Sequence, residues 1–200
     1  MPTADFFTRF GVFVIKDFFD ADLCARLRSE TRSNAHIQAT VYKRIDRVDE
    51  SARRTKAAKV SAQTISFVKE RLLAVKPMLE SHFNLTLTGC QEPQFLSYKE
   101  GDFFQPHQDS SDESDYAEYI KARQVSVVIF LNGETREPTP DSYTGGSLIF
   151  YGLMNDPRCQ AIGFPLSGEA GLLIAFRSDI FHEVKTVTHG ERYTIVSWLF

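Results

Sequence analysis

The sequence predicts a mainly β protein with supporting helices (α+β), in which an antiparallel core is braced by helices from the N-terminal half. Three observations point there. Four short runs in the second half, Gln124–Leu131, Gly146–Tyr151, Gly171–Phe176 and Arg192–Phe200, are rich in β-branched and aromatic residues and bounded by Gly, Pro, Asn or Asp. In the last run, alternation sets Arg192, Thr194, Val196 and Trp198 on one face and Tyr193, Ile195 and Ser197 on the other. Helical spacing, by contrast, is confined to the first half. With 200 residues, 42% hydrophobic content and 17 phenylalanines, the chain suits one domain with a sizeable, aromatic-rich core, and a double-stranded barrel fits.

Taken in order, Gly11–Ile15 reads as a strand. Asp20 then caps a helix running to about Ser33, with Leu23 and Leu27 on one face. A second helix is predicted from about Ser61 to His82, because Ile65, Val68, Leu72, Val75 and Leu79 recur at intervals of three and four. Pro77 should kink it or end it early. Both helices are expected to pack on the outside of the sheet. With no repeat, low-complexity tract or linker, the division is a single domain over 1–200, with helical support and a lid region in 1–90 and the barrel core in 91–200.

Two polar segments interrupt this order. Residues 43 to 59 set Lys43, Arg44, Arg47, Arg53, Arg54, Lys56 and Lys59 against Asp46, Asp49 and Glu50. Residues 109 to 118 carry Asp109, Asp112, Glu113, Asp115 and Glu118. Each reads either as a solvated loop or as a lid and rim that close over a substrate, since binding residues concentrate in loops on rigid scaffolds. A basic lid would favour an acidic peptide or a carboxylate-bearing small molecule.

The chemistry lies in His107-Gln108-Asp109 and in His182, followed by Arg192. Residues at i and i+2 of an extended segment share a face, so the His107 imidazole and the Asp109 carboxylate can converge on one ion. Two imidazoles and one carboxylate leave three adjacent positions of an octahedral iron open, the arrangement of a non-haem facial triad. Cys24, Cys90 and Cys159 have no Cys-x-x-Cys spacing, which argues against a closed thiolate zinc site. Arg192 shares a face with Val196 and Trp198 and is expensive to bury without an anion, so a carboxylate ligand rationalises it. Gly145-Gly146 is most simply a turn before a strand. His36, His82 and His189 have no partner spacing and read as solvated.

Several stretches together, Tyr98–Asp109, Val128–Asn132, Gly145–Ile149, Phe181–Val184 and Arg192–Trp198, resemble the iron(II)/2-oxoglutarate dioxygenases of the prolyl 4-hydroxylase type. The closing segment is most similar to the oxygen-sensing prolyl hydroxylases, which also end on an arginine strand. The resemblance covers about residues 94 to 200 and implies a double-stranded β-helix (jelly-roll) barrel. It further implies His107, Asp109 and His182 as iron(II) ligands, Arg192 as partner of the distal carboxylate of 2-oxoglutarate, and Tyr98 as a hydrogen-bonding wall. Dioxygen would decarboxylate 2-oxoglutarate to succinate while a substrate is hydroxylated. One position departs: where the oxygen-sensing enzymes place a tyrosine whose hydroxyl helps hold the distal carboxylate, this chain has Phe130, so Thr194 is expected to supply the second contact.

Peptidyl proline is the substrate the family implies; a free amino acid or other small molecule hydroxylated at the same iron site is the alternative. A nucleic-acid demethylase of the superfamily should carry a second arginine on the strand face of Arg192, where this chain has Trp198. A net charge of −3 and a pI near 6.0 give no electrostatic case for nucleic-acid or membrane binding. No apolar run is long enough to span a bilayer, and the N-terminus lacks a basic segment followed by an apolar one. Together with the unpaired cysteines, these features suit a cytoplasmic protein in a reducing compartment.

Overall fold

The computed structural model describes residues 4–39, 49–113, 116–137, 139–154 and 156–200. Within them the helices are α1 (Ala4–Arg9), α2 (Ala21–Ser33), α3 (Ala62–Phe83) and α4 (Glu118–Lys121). The strands are β1 (Phe13–Ile15), β2 (His36–Gln38), β3 (Arg53–Arg54), β4 (Lys56–Ala58), β5 (Gln94–Tyr98), β6 (Phe103–His107) and β7 (Val125–Phe130). They continue with β8 (Tyr143–Gly145), β9 (Leu148–Phe150), β10 (Phe164–Leu166), β11 (Leu173–Arg177), β12 (His182–Val184), β13 (Val187–Gly190) and β14 (Arg192–Leu199). One sheet runs β1-β11-β7-β14-β5-β4-β2, a second runs β10-β9-β12-β6-β3, and β13-β8 form a short ribbon. Every pair in these sheets is antiparallel.

Period-two alternation sorts the larger sheet into two cores. Val125, Val127 and Ile129 of β7, Leu173 and Ala175 of β11, and Tyr193 and Ile195 of β14 turn outward. There they pack against Leu27 of α2 and against Val68, Leu72, Val75 and Leu79 of α3. Val128, Phe130, Ile174 and Phe176 turn inward and meet Leu148, Phe150 and Val184 of the smaller sheet. Both faces of β7 are therefore covered, which is why that strand reads as a nearly unbroken apolar run.

The helices form where expected. Asp20 caps α2 by accepting from the Leu23 amide at 2.7 Å, and Arg32 near its end donates to the Tyr193 hydroxyl at 3.0 Å. Ser61 caps α3 through the Thr64 amide. Pro77 does not end α3, which continues to Phe83. Pro77 and Leu73 lie on the exposed side, where water can reach the Leu73 carbonyl that lacks its helical partner. Leu72, Val75 and Leu79, on either side, hold the helix down in one core. Among the described residues no helix is long and apolar enough to cross a membrane.

Part of the basic segment is sheet rather than loop. β3 pairs with β6, and β4 with β5. Alternation is present there but is carried by polar side chains: Arg53 and Thr55 are buried, while Arg54 and Lys56 are exposed. The Thr55 hydroxyl donates to the Ser97 carbonyl, and the Arg53 guanidinium lies over the Phe104 ring. Lys43, Arg44, Asp46, Arg47 and Asp115 lie outside the described residues. Gly145-Gly146 sits at the corner leading from β8 to β9, both residues at positive φ (69° and 67°) that an L side chain would strain. His82 and His189 are exposed as expected; His36 is not, being half-buried on the edge strand β2.

Candidate metal centre and co-substrate pocket

His107 ends β6 and His182 begins β12, and the two are direct partners across that ladder. Asp109 follows two residues after His107, its amide donating to the Ser178 carbonyl at 2.9 Å. Each imidazole is anchored by Nδ1, that of His107 to the Gln105 carbonyl at 2.8 Å and that of His182 to the Ile180 carbonyl at 2.9 Å. Because a carbonyl only accepts, each Nδ1 carries a proton, and each Nε2 is the ring nitrogen left to face the site.

Both Nε2 atoms face one carboxylate. His107 Nε2 lies 3.7 Å from Asp109 Oδ1, and His182 Nε2 lies 3.5 Å from Oδ2. The three donor atoms all fall within 4.8 Å of one another. Donors about 2.1 Å from one ion in adjacent octahedral positions stand about 3 Å apart, so only a small closure is needed. Two imidazole nitrogens and a carboxylate turned toward one point are the donors that a divalent cation draws together. The donor set therefore fits a divalent metal with open positions.

The surroundings hold this state. Burial, and then the neighbouring His182, push the His107 imidazole down to about 3, keeping it neutral at physiological pH. Burial would raise the Asp109 carboxyl, yet it stays below the usual carboxylate range; with the His107 imidazole neutral, the Arg123 guanidinium and the Ser126 hydroxyl are groups that favour the anion there. Phe104 stacks on His107 with ring centroids 3.5 Å apart, and Arg53 covers the far face of Phe104. Behind Asp109, Arg123 donates to the Asp109 carbonyl and to Gln91 Oε1, with its guanidinium 3.6 Å above the Trp198 ring.

A cavity of about 650 Å³ opens beside the triad. Tyr98, Arg192 and Thr194 line it together with His107, Asp109 and His182, so all six residues singled out in the sequence reach one space. Arg192 and Tyr98 are partners across β14 and β5, and Thr194 and Phe130 are partners across β14 and β7. Arg192 is 1% exposed, its Nη1 donating to Thr194 Oγ1 at 3.3 Å, and its Nε has no acceptor among the described residues. A buried guanidinium without a carboxylate partner fits an anionic ligand.

The sequence profile of the 2OG-Fe(II) oxygenase superfamily matches residues 93–200, which include the triad and Arg192. The chain belongs to this superfamily. As an oxygenase of that family it uses iron(II), 2-oxoglutarate and dioxygen. Among its relatives, a PKHD-type hydroxylase of Rippkaea orientalis is 35% identical over 75 residues, which is 38% of this chain and only 28% of that protein. A PKHD-type hydroxylase of Shewanella sp. (strain MR-4) is 27% identical over 178 residues, 89% of this chain and 69% of that protein. Among solved structures, a Trichoplax adhaerens prolyl hydroxylase in complex with a hypoxia inducible factor oxygen degradation domain peptide fragment superposes with a TM-score of 0.70. It is 20% identical, with 95% of this chain and 83% of that one covered, a likeness of fold.

Arg53 in the cavity wall and Tyr143 behind Arg192 are not singled out by the sequence. In the sequence Arg53 is one of seven basic residues in its segment. Tyr143, just before the Gly-Gly corner, carried no signal in spacing or composition, yet it is fully buried and flanks Arg192 across Gly146.

Proposed function

We propose that this oxygenase is a peptidyl-prolyl hydroxylase. In this reading His107, Asp109 and His182 hold iron(II), Arg192 holds the distal carboxylate of 2-oxoglutarate, and Tyr98 and Thr194 complete that pocket. The observation that carries the reading is the placement of Arg192: a buried, anion-seeking guanidinium lining the same cavity as three converging metal donors. When bound, iron with 2-oxoglutarate and dioxygen supplies oxidative decarboxylation to succinate and carbon dioxide, with one oxygen atom passing to a substrate C–H bond.

The protein's own part is positioning. The Gln105 and Ile180 carbonyls fix both imidazole tautomers, Arg123 braces the Asp109 backbone, and the β5–β14–β7 wall keeps water from the carboxylate end. The cavity also runs past the triad to Ser111, Glu113, Tyr116 and the half-exposed Phe181, leaving a rim for an extended substrate. The peptide in the Trichoplax complex supports that choice of substrate.

A second reading, a carboxylate-bearing small molecule as substrate, is favoured by Arg53 and Arg123 in the cavity wall. Succinate release from iron-loaded protein and 2-oxoglutarate, measured with proline-containing peptides and with free amino acids, separates the two. Stimulation by peptides with formation of hydroxyproline is the expected result. Stimulation by free amino acids alone transfers the assignment to the second reading.

A further inference from the structure

Behind Arg192, in the packed layer next to the cavity rather than in its lining, a second buried polar group has no good partner among the described residues. The Tyr143 hydroxyl, on a side chain with no exposed surface, lies beside the Arg192 guanidinium and the Gly168 backbone without a hydrogen bond of good geometry. An unsatisfied hydroxyl in a dry core is costly, and it stands next to an unsatisfied guanidinium nitrogen.

Glycines on both sides fix this placement. A Cβ at Gly146 would lie 3.2 Å from Arg192 Cδ and 3.3 Å from Tyr143 Cε2, so the two side chains flank one glycine. A Cβ at Gly168 would collide with both the Tyr143 hydroxyl and Cδ1 of Phe130. The hydroxyl therefore lies against the Phe130 ring, whose centroid is 5.1 Å from the Arg192 guanidinium carbon.

We propose that the Tyr143 hydroxyl donates a hydrogen bond to the carboxylate held by Arg192, supplying from β8 the hydroxyl that Phe130 does not offer on β7. The proposal rests on the reading of Arg192 as the partner of the distal carboxylate of 2-oxoglutarate. Arg192 brings charge and Thr194 a bond to the guanidinium; Tyr143 brings a neutral O–H. Burial pushes the Tyr143 phenol up to about 12, so it remains a donor and adds no negative charge beside the ligand.

Titration calorimetry on manganese(II)-loaded Tyr143→Phe, with 2-oxoglutarate and with oxalate, tests this. Oxalate presents the chelating end without the distal carboxylate. The expected result is a loss of about tenfold or more for 2-oxoglutarate, the scale of a hydrogen bond to a charged group. Oxalate and manganese affinities should be unchanged, and the thermal midpoint of the metal-free variant should not fall, because the ring stays and no formed bond is lost. Unchanged 2-oxoglutarate affinity, equal losses for both ligands, or a lowered midpoint would each reduce Tyr143 to packing and overturn the proposal. Arg192→Lys run in parallel keeps the two readings apart: if it leaves 2-oxoglutarate affinity intact, the reading of Arg192 itself fails.

Discussion

His107 and His182 are direct partners across the β6–β12 ladder, with ring centroids 4.2 Å apart. Each is locked by a backbone carbonyl two residues before it, Gln105 and Ile180 respectively. The same device on two antiparallel strands points both Nε2 atoms at Asp109. A rigid ladder rather than a loop thus sets the separation of the two imidazoles, which is what a metal site requires for precision.

The Arg192 fork is the first target. Arg192→Lys keeps the charge but loses the planar pair of donors, so 2-oxoglutarate binding should weaken by about 1.5–3 kcal/mol while metal affinity stays as in the parent. Calorimetry with each ligand checks it. Equal 2-oxoglutarate affinity in the two proteins would take Arg192 out of the site.

From the sequence, Phe130→Tyr is expected to restore a hydroxyl near the distal carboxylate and tighten binding. The structure predicts the opposite. Phe130 has no exposed surface and abuts Gly168 and Tyr143, so an added oxygen overpacks the site and should cost about 1–3 kcal/mol of stability without a gain in 2-oxoglutarate affinity. Urea denaturation and a ligand titration read both quantities.

The depressed His107 imidazole makes the metal-free protein sensitive to acid. The folded state keeps His107 unprotonated down to about pH 3, whereas the unfolded chain protonates it near 6.5. Between those values the unfolded state binds the extra proton, so stability is lost as pH falls. From pH 7.5 to 5.5 the loss from this group should be about 1 kcal/mol. Denaturation midpoints of chelator-treated parent and His107→Gln at both pH values decide it; the same pH slope in both proteins would count against the assignment.

Pro77 offers a test away from the site. It sits within α3 on the exposed face, and Pro77→Ala returns the missing backbone donor and improves helix propensity. A gain of about 1–2 kcal/mol is expected, below the full propensity difference because the unfolded chain also becomes freer. Thermal denaturation measures it.

Much of this was legible beforehand. The triad and Arg192 follow from residue type, order and strand alternation, and strands β7, β9, β11 and β14 follow from apolar content and turn residues. β3 and β4 were hidden because the buried positions there, Arg53 in β3 and Thr55 between the two strands, are polar. Pro77 misled because local helix rules do not see the buried Leu72, Val75 and Leu79 around it. Tyr143 was invisible because its role depends on the Gly145-Gly146 corner turning β8 toward Arg192, a relation set by tertiary packing rather than spacing.

The central claim is that His107, Asp109 and His182 hold one iron(II) ion. Anaerobic titration of ferrous iron into the parent, His107→Ala and His182→Ala, with circular dichroism to verify folding, tests it most directly. The account predicts one ion per parent chain and loss of high-affinity binding in both variants while their secondary structure remains. Unchanged iron stoichiometry in either folded variant would contradict it.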